Sequence, residues 1–178
     1  MRSNLIRMED WNGPPNQHLH SPTKPVLTDA DWNVVRDYAS QMAQMIQNSD
    51  DTILLTANQV GVNLSFMVLS LPRSGVFGKG FITLVNPEIT ERARDFHSYP
   101  SGNISYPNPP TWNRVFADWV KVVYARTPSV LGVIDTSSIL FQRAPPHARL
   151  VGNALQMGVE ILDGLDPRTG GKYDPDKW

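Results

Sequence analysis

The chain has 178 residues with 16 basic and 17 acidic side chains, a formal net charge of −1, and no cysteine. That length suits one domain, residues 1–178, around one sizeable core, and the charge balance gives no electrostatic basis for binding nucleic acid or an anionic membrane surface. The missing cysteine excludes disulfides, thiolate nucleophiles and thiolate metal ligands.

No apolar segment is long enough to span a bilayer, and nothing near the N-terminus joins a basic flank to an apolar run. A soluble, cytoplasmic protein is therefore expected. Residues 1–27 read as polar chain punctuated by Pro14, Pro15, Pro22 and Pro25, with 1–20 as an extended arm. Thr28 and Asp31 then form a capping-box pattern. Behind it Trp32, Val35, Ala39, Met42, Met45 and Ile46 recur at helical spacing, which predicts a helix to about Asn48. Strands are predicted at 65–70, 81–85, 119–124 and, more weakly, 130–134. Gly75, Gly78 and Gly80 read as a turn between the first two; no phosphate-loop context surrounds them. A second helix is predicted from His147 to Asp163, apolar on most sides and so buried in the middle of the domain, with Gly164 as its C-terminal glycine. The tail at 166–178 reads as loose. The order predicts an α+β domain in which antiparallel or mixed β-sheets wrap a central buried C-terminal helix.

Three stretches stand out in sequence order: TILLTANQVG at 52–61, SGNISYP at 101–107 and QMGVEILDG at 156–164. They resemble the GxGLAAxQxG, EGCLSxP and QHExDHLxG segments of peptide deformylases. VNPEI at 85–89 is similar to the family's VNPxI, and KPV at 24–26 to its N-terminal KPV. The resemblance covers roughly residues 20–165 and implies the peptide-deformylase-like fold. Deformylases hydrolyse the formyl group of an N-terminal formyl-methionine with a divalent metal held by one Cys and two His. A Glu beside the first His acts as base, and a glutamine amide with a backbone N–H steadies the oxyanion.

Carried over residue by residue, the resemblance places Asn103 at the cysteine position, Met157 and Ile161 at the histidine positions and Gly158 at the glutamate position. Neither a neutral amide, a thioether nor an alkyl group replaces those ligands, so no metal or other cofactor is expected. His18, His20, His97 and His147 do not supply an alternative set. Gln59 and Ile104 stand where the oxyanion donors would be; Gln59 reads equally well as a group that satisfies backbone. Glu160 stands at the Asp of the third motif, either as an acid–base group or as the partner of an arginine such as Arg114 or Arg149. Leu54 replaces a family glycine and Ser101 the glutamate of the second motif. The pocket would draw on Leu54, Leu55, Ser101, Leu150, Asn153, Ala154, Met157 and Ile161, with Asn153 polar where an apolar wall would suit methionine. A filled core around Met157 and Ile161 is the plainer expectation there.

Two functions fit. One is a metal-independent enzyme, in which Gln59, Asn103 and the Ile104 N–H orient a carbonyl-bearing small molecule or acylated peptide for cyclisation, isomerisation or elimination. The other is a non-catalytic protein that binds an acylated peptide or metabolite, or serves as a partner subunit. An enclosed pocket with convergent polar groups favours the first, a filled pocket beside exposed apolar surface the second.

Overall fold

A computed structural model of the chain describes residues 17–72, 79–106, 109–138, 141 and 145–177. In chain order the elements are α1 (Gln17–His20), α2 (Asp29–Gln47), β1 (Leu54–Thr56), β2 (Phe66–Pro72), β3 (Lys79–Arg92), β4 (Phe96–Ser101), β5 (Trp112–Ala117), β6 (Val120–Thr127), β7 (Val130–Asp135) and α3 (Pro145–Leu162). Five strands form one sheet in the order β1-β2-β3-β6-β7, β4 pairs with β5, and every one of these pairings is antiparallel. The α+β class and the buried C-terminal helix are as the sequence predicts.

Helix α2 starts where its cap requires. Asp31 N–H donates to Thr28 Oγ1 at 3.1 Å, and the Asp31 carboxylate accepts from the N–H groups of Thr28 and Leu27 at 2.9 and 3.0 Å. Those donors hold the Asp31 carboxyl below its ordinary pKa. Val35, Met42 and Ile46 are buried against one face of the sheet, among Leu55, Phe66, Val68 and Val85. Helix α3 covers the opposite face, where Val151, Leu155 and Leu162 meet Leu54, Met67, Leu84, Val120, Val122 and Ile134. Successive strand residues point to opposite faces, so Leu54 and Leu55 enter different layers.

Strands β1, β4 and β5 are not among the predicted elements. The alternation in β4 runs against polarity: Phe96 is 63% exposed, whereas His97 and Tyr99 are half-buried. No apolar period of two therefore marks the strand. Gly80 lies inside β3 rather than in a turn; Gly75 and Gly78 lie outside the described residues.

The arm is anchored more firmly than the sequence predicts. Residues 17–20 are helical, and Leu19 is fully buried with Tyr106, Trp112 and Ile161. Further on, the Asn86 carboxamide accepts from Val26 N–H at 2.8 Å and donates to Val26 O at 2.9 Å. The VNP and KPV segments thus meet, with Asn86 at φ 48° where β3 departs from its register with β6. Thr23 caps the end of α3 by donating its N–H and Oγ1–H to Leu162 O at 2.8 and 2.9 Å. Gly164 has φ 74°, and a Cβ there would lie 2.5 Å from the Ser21 carbonyl carbon, so glycine is required on both counts.

The segment after α3 is not loose at its start. Asp166 and Arg168 form an ion pair at 2.9 Å with side chains 1% and 4% exposed, and the Arg168 guanidinium lies 5.2 Å from the Tyr106 ring centre. Arg168→Met strands the Asp166 carboxylate and is expected to cost about 3–5 kcal/mol, read as a lower urea midpoint. Nearby, His20 stacks on Tyr173 at 4.1 Å. Burial, more than the Arg168 charge and against the Asp166 charge, holds the His20 imidazole below its ordinary value of 6.5. A depressed folded pKa means that His20 contributes fully above pH 6.5 and that this contribution is lost as pH falls through the lower folded value. Thermal unfolding between pH 7.5 and 5.5 is therefore expected to fall more steeply in the wild type than in His20→Gln.

Candidate functional site

A single helical turn of 3-10 type, Ala57–Val60, follows β1 and carries Gln59 inward, fully buried. Its Oε1 accepts from Thr56 N–H at 3.0 Å. Because a backbone N–H can only donate, that bond fixes the orientation of the carboxamide. Its Nε2 then donates to Asn103 Oδ1 at 3.0 Å and to Ser105 Oγ at 2.9 Å. Both Gln59 donors are committed inside the protein. Asn103 is fixed in the same way, since Ser105 N–H donates to its Oδ1 at 2.9 Å. Its Nδ2 is the end left over, and neither that group nor the Ile104 N–H has an acceptor among the described residues.

Asn103 and Ile104 line a cleft of about 70 Å³. Thr52, Ile53 and Leu54 come to it from the start of β1, Gly102 from the loop after β4, and Ala154, Met157 and Gly158 from α3. At about 10–15 Å³ of such volume per water molecule, it has room for a few waters or one compact group. Gly158 explains the tightness: a Cβ there would lie 2.8 Å from Met67 Sδ and 2.9 Å from Leu54 Cδ2. The Leu54 side chain occupies the space that a longer residue at 158 would need.

The remaining predicted site residues lie elsewhere. Ile161 is fully buried in the apolar cluster with Leu19, Tyr106 and Trp112, and its carbonyl accepts from Asn58 Nδ2 at 2.7 Å. Glu160 is not at the cleft; it forms a two-point ion pair with Arg114, whose Nη1 also donates to Pro167 O at 2.7 Å. Of the two arginines that the sequence offers, Arg114 is the one paired with Glu160. Leu55 packs under α2, Ser101 is buried opposite Trp112, and Leu150 is 39% exposed on the outer side of α3, so none of these three lines the cleft. Asn153 is buried, and its Oδ1 lies 3.0 Å from His97 Nε2, while His97 Nδ1 lies 2.8 Å from Asp118 Oδ1. This chain ties α3 to the two-stranded sheet. Sequence reasoning missed Thr56, Ser105 and Met67; spacing carries no signal for them, because each acts through a neighbour brought in by the fold.

A family model for polypeptide deformylase matches residues 13–126, more than half of the chain. The chain belongs to the polypeptide deformylase family. The match includes the Gln59 and Asn103 segments and ends before α3. Among solved structures, a probable peptide deformylase from Synechococcus phage S-SSM7 shares 19% identity at TM-score 0.71, covering 91% of this chain and 95% of that one. Peptide deformylase from Thermotoga maritima shares 21% at TM-score 0.69, with 93% and 94% covered. Peptide deformylase from Ehrlichia chaffeensis shares 17% at TM-score 0.64, with 90% and 83% covered. At these identities the likeness is one of fold. No curated protein matches the chain.

The metal of deformylases does not fit the residues present here. Asn103 spends its one oxygen on Gln59 and Ser105, Met157 offers a thioether, and Ile161 offers nothing. Among the described residues no three His, Asp or Glu side chains gather as a ligand set. Restoring the glutamate alone is also blocked sterically. Gly158→Glu is expected to cost about 1–3 kcal/mol through overpacking. A urea double-mutant cycle with Leu54→Gly should show favourable coupling above about 0.5 kcal/mol; strict additivity would remove Leu54 as the cause.

Proposed function

We propose that this chain is a non-catalytic member of the deformylase family that binds the carbonyl group of an acylated peptide or small metabolite at the Asn103 cleft. The supporting observation is the orientation of Asn103. Its Oδ1 is held by the Ser105 N–H, so its Nδ2 is the donor that remains beside the Ile104 N–H. Two donors on one side of a small cleft suit a carbonyl oxygen. The oxyanion donor expected of Gln59 is spent on holding Asn103 and Ser105 instead.

Catalysis has less support. Acid–base chemistry needs a group that exchanges a proton within hydrogen-bond reach of the substrate. Among the described residues that line the cleft none is Asp, Glu, His, Lys or Tyr, and Glu160 is paired with Arg114. The cyclisation, isomerisation or elimination reading has orientation to draw on but no proton carrier. Exposed apolar side chains on β7, with Leu131 at 71% and Val133 at 55%, add to the binding reading.

The test is to titrate ¹⁵N-labelled protein with formyl-Met-Ala-Ser while following formate release, with and without added Fe²⁺, Ni²⁺ or Zn²⁺. The Asn103 side-chain NH₂ signals are expected to shift saturably, with formate no faster than in buffer under every condition. Asn103→Ala is expected to weaken binding about tenfold. Metal-dependent formate release would overturn the reading, as would binding that leaves the Asn103 signals in place.

A further inference from the structure

A larger cavity lies on the opposite face of the five-stranded sheet, between α2 and the turn joining β6 to β7. It encloses about 670 Å³, within the range of about 300–1,000 Å³ typical of small-molecule sites. Its apolar wall is Trp32, Val35 and Ala39, which share one face of α2, and its floor includes Val85 of β3. Two guanidinium groups also line it. Arg36 sits one turn beyond Trp32 and donates to Asn33 Oδ1, an interaction that leaves its charge unneutralised. Arg126, at the end of β6, has no hydrogen bond or ion pair among the described residues. The single carboxylate in the lining is Asp29, seven residues before Arg36 and so about 10 Å away along the helix axis.

Arg36 and Arg126 are both exposed and line the same cavity, so an anion within reach of either is drawn to it by its charge. A guanidinium presents a planar fork of donors that matches a carboxylate in two-point contact. The aromatic and aliphatic wall beside them excludes a ligand that is charged throughout and rewards one with an apolar body. We propose that this cavity binds an organic monocarboxylate with an aromatic or branched aliphatic body, its carboxylate at Arg36 and Arg126 and its body against Trp32 and Val85. The site is independent of the Asn103 cleft, because the sheet separates them.

The probes are 4-phenylbutyrate, the neutral 4-phenylbutanol and acetate, titrated into ¹⁵N-labelled full chain while the Trp32 indole N–H and Arg126 Nε–H signals are followed. The acid is expected to shift both saturably, with the alcohol and acetate at least tenfold weaker and the Asn103 side-chain signals unmoved. Arg126 is exposed at a strand end, so Arg126→Ala should keep the wild-type unfolding midpoint, weaken the acid about tenfold and bring it level with the alcohol. Arg126→Lys should retain part of the preference, since it keeps the charge and loses the fork. Equal affinity for acid and alcohol, unshifted Trp32, or wild-type affinity in Arg126→Ala would each overturn the proposal. So would shifts that arise only with an acidic peptide and not with 4-phenylbutyrate, since the occupant would then be a protein segment.

Discussion

The carboxamide of Gln156 holds together the two parts of the fold that frame the cleft. Its Oε1 accepts from Ala117 N–H at 3.1 Å, and its Nε2 donates to Ala117 O at 3.2 Å and to Gly152 O at 3.1 Å. Helix α3 is buried on most of its surface, so a polar side chain on it must find partners or cost the protein the desolvation of an amide. Gln156 finds them on the backbone of β5, where β5 leaves its pairing with β4. That places α3 in a fixed rotation against the two-stranded sheet. The rotation sets which side chains reach the cleft: Ala154, Met157 and Gly158 face it, Leu150 faces outward, and Glu160 turns to Arg114.

Given that rotation, the neighbouring positions fit one another. The Leu54 side chain lies in the space above Gly158, beside Met67. Ile161 closes a cluster with Leu19 and Tyr106 that also anchors α1. Asn103 accepts from both Gln59 and Ser105 through its one oxygen. Gln59 and the Asn103 oxygen thus have their partners inside the protein, while Asn103 Nδ2 keeps none among the described residues.

The same side chains also couple the segment after α3 to the N-terminal arm. Arg168 sits between the Asp166 carboxylate and the Tyr106 ring, and Tyr106 packs with Leu19. Burial, with the Asp166 charge beside it, drives the Tyr106 phenol well above its ordinary range, and its hydroxyl has no hydrogen-bond partner among the described residues. Thr23 and Asn58 both bond to the last carbonyls of α3. Residues distant in sequence thereby share one polar and aromatic cluster at the end of the helix.

The long elements and the family were legible from sequence, because apolar periodicity marks α2, α3, β2, β3, β6 and β7, and the motif residues are set in a recognisable order. Strands β4 and β5 were not, because their exposed and half-buried positions do not divide by polarity. The sequence left the role of Gln59 open between two readings; its amide orientation comes only from the fold, which places Thr56 N–H at one end and Asn103 with Ser105 at the other. Likewise no spacing in the chain links Leu54 to Gly158 or Arg36 to Arg126. Sequence determined which chemical groups this protein has and lacks; the tertiary structure decided which are spent on one another and which remain free, because hydrogen bonds and packing depend on distance in space and not along the chain.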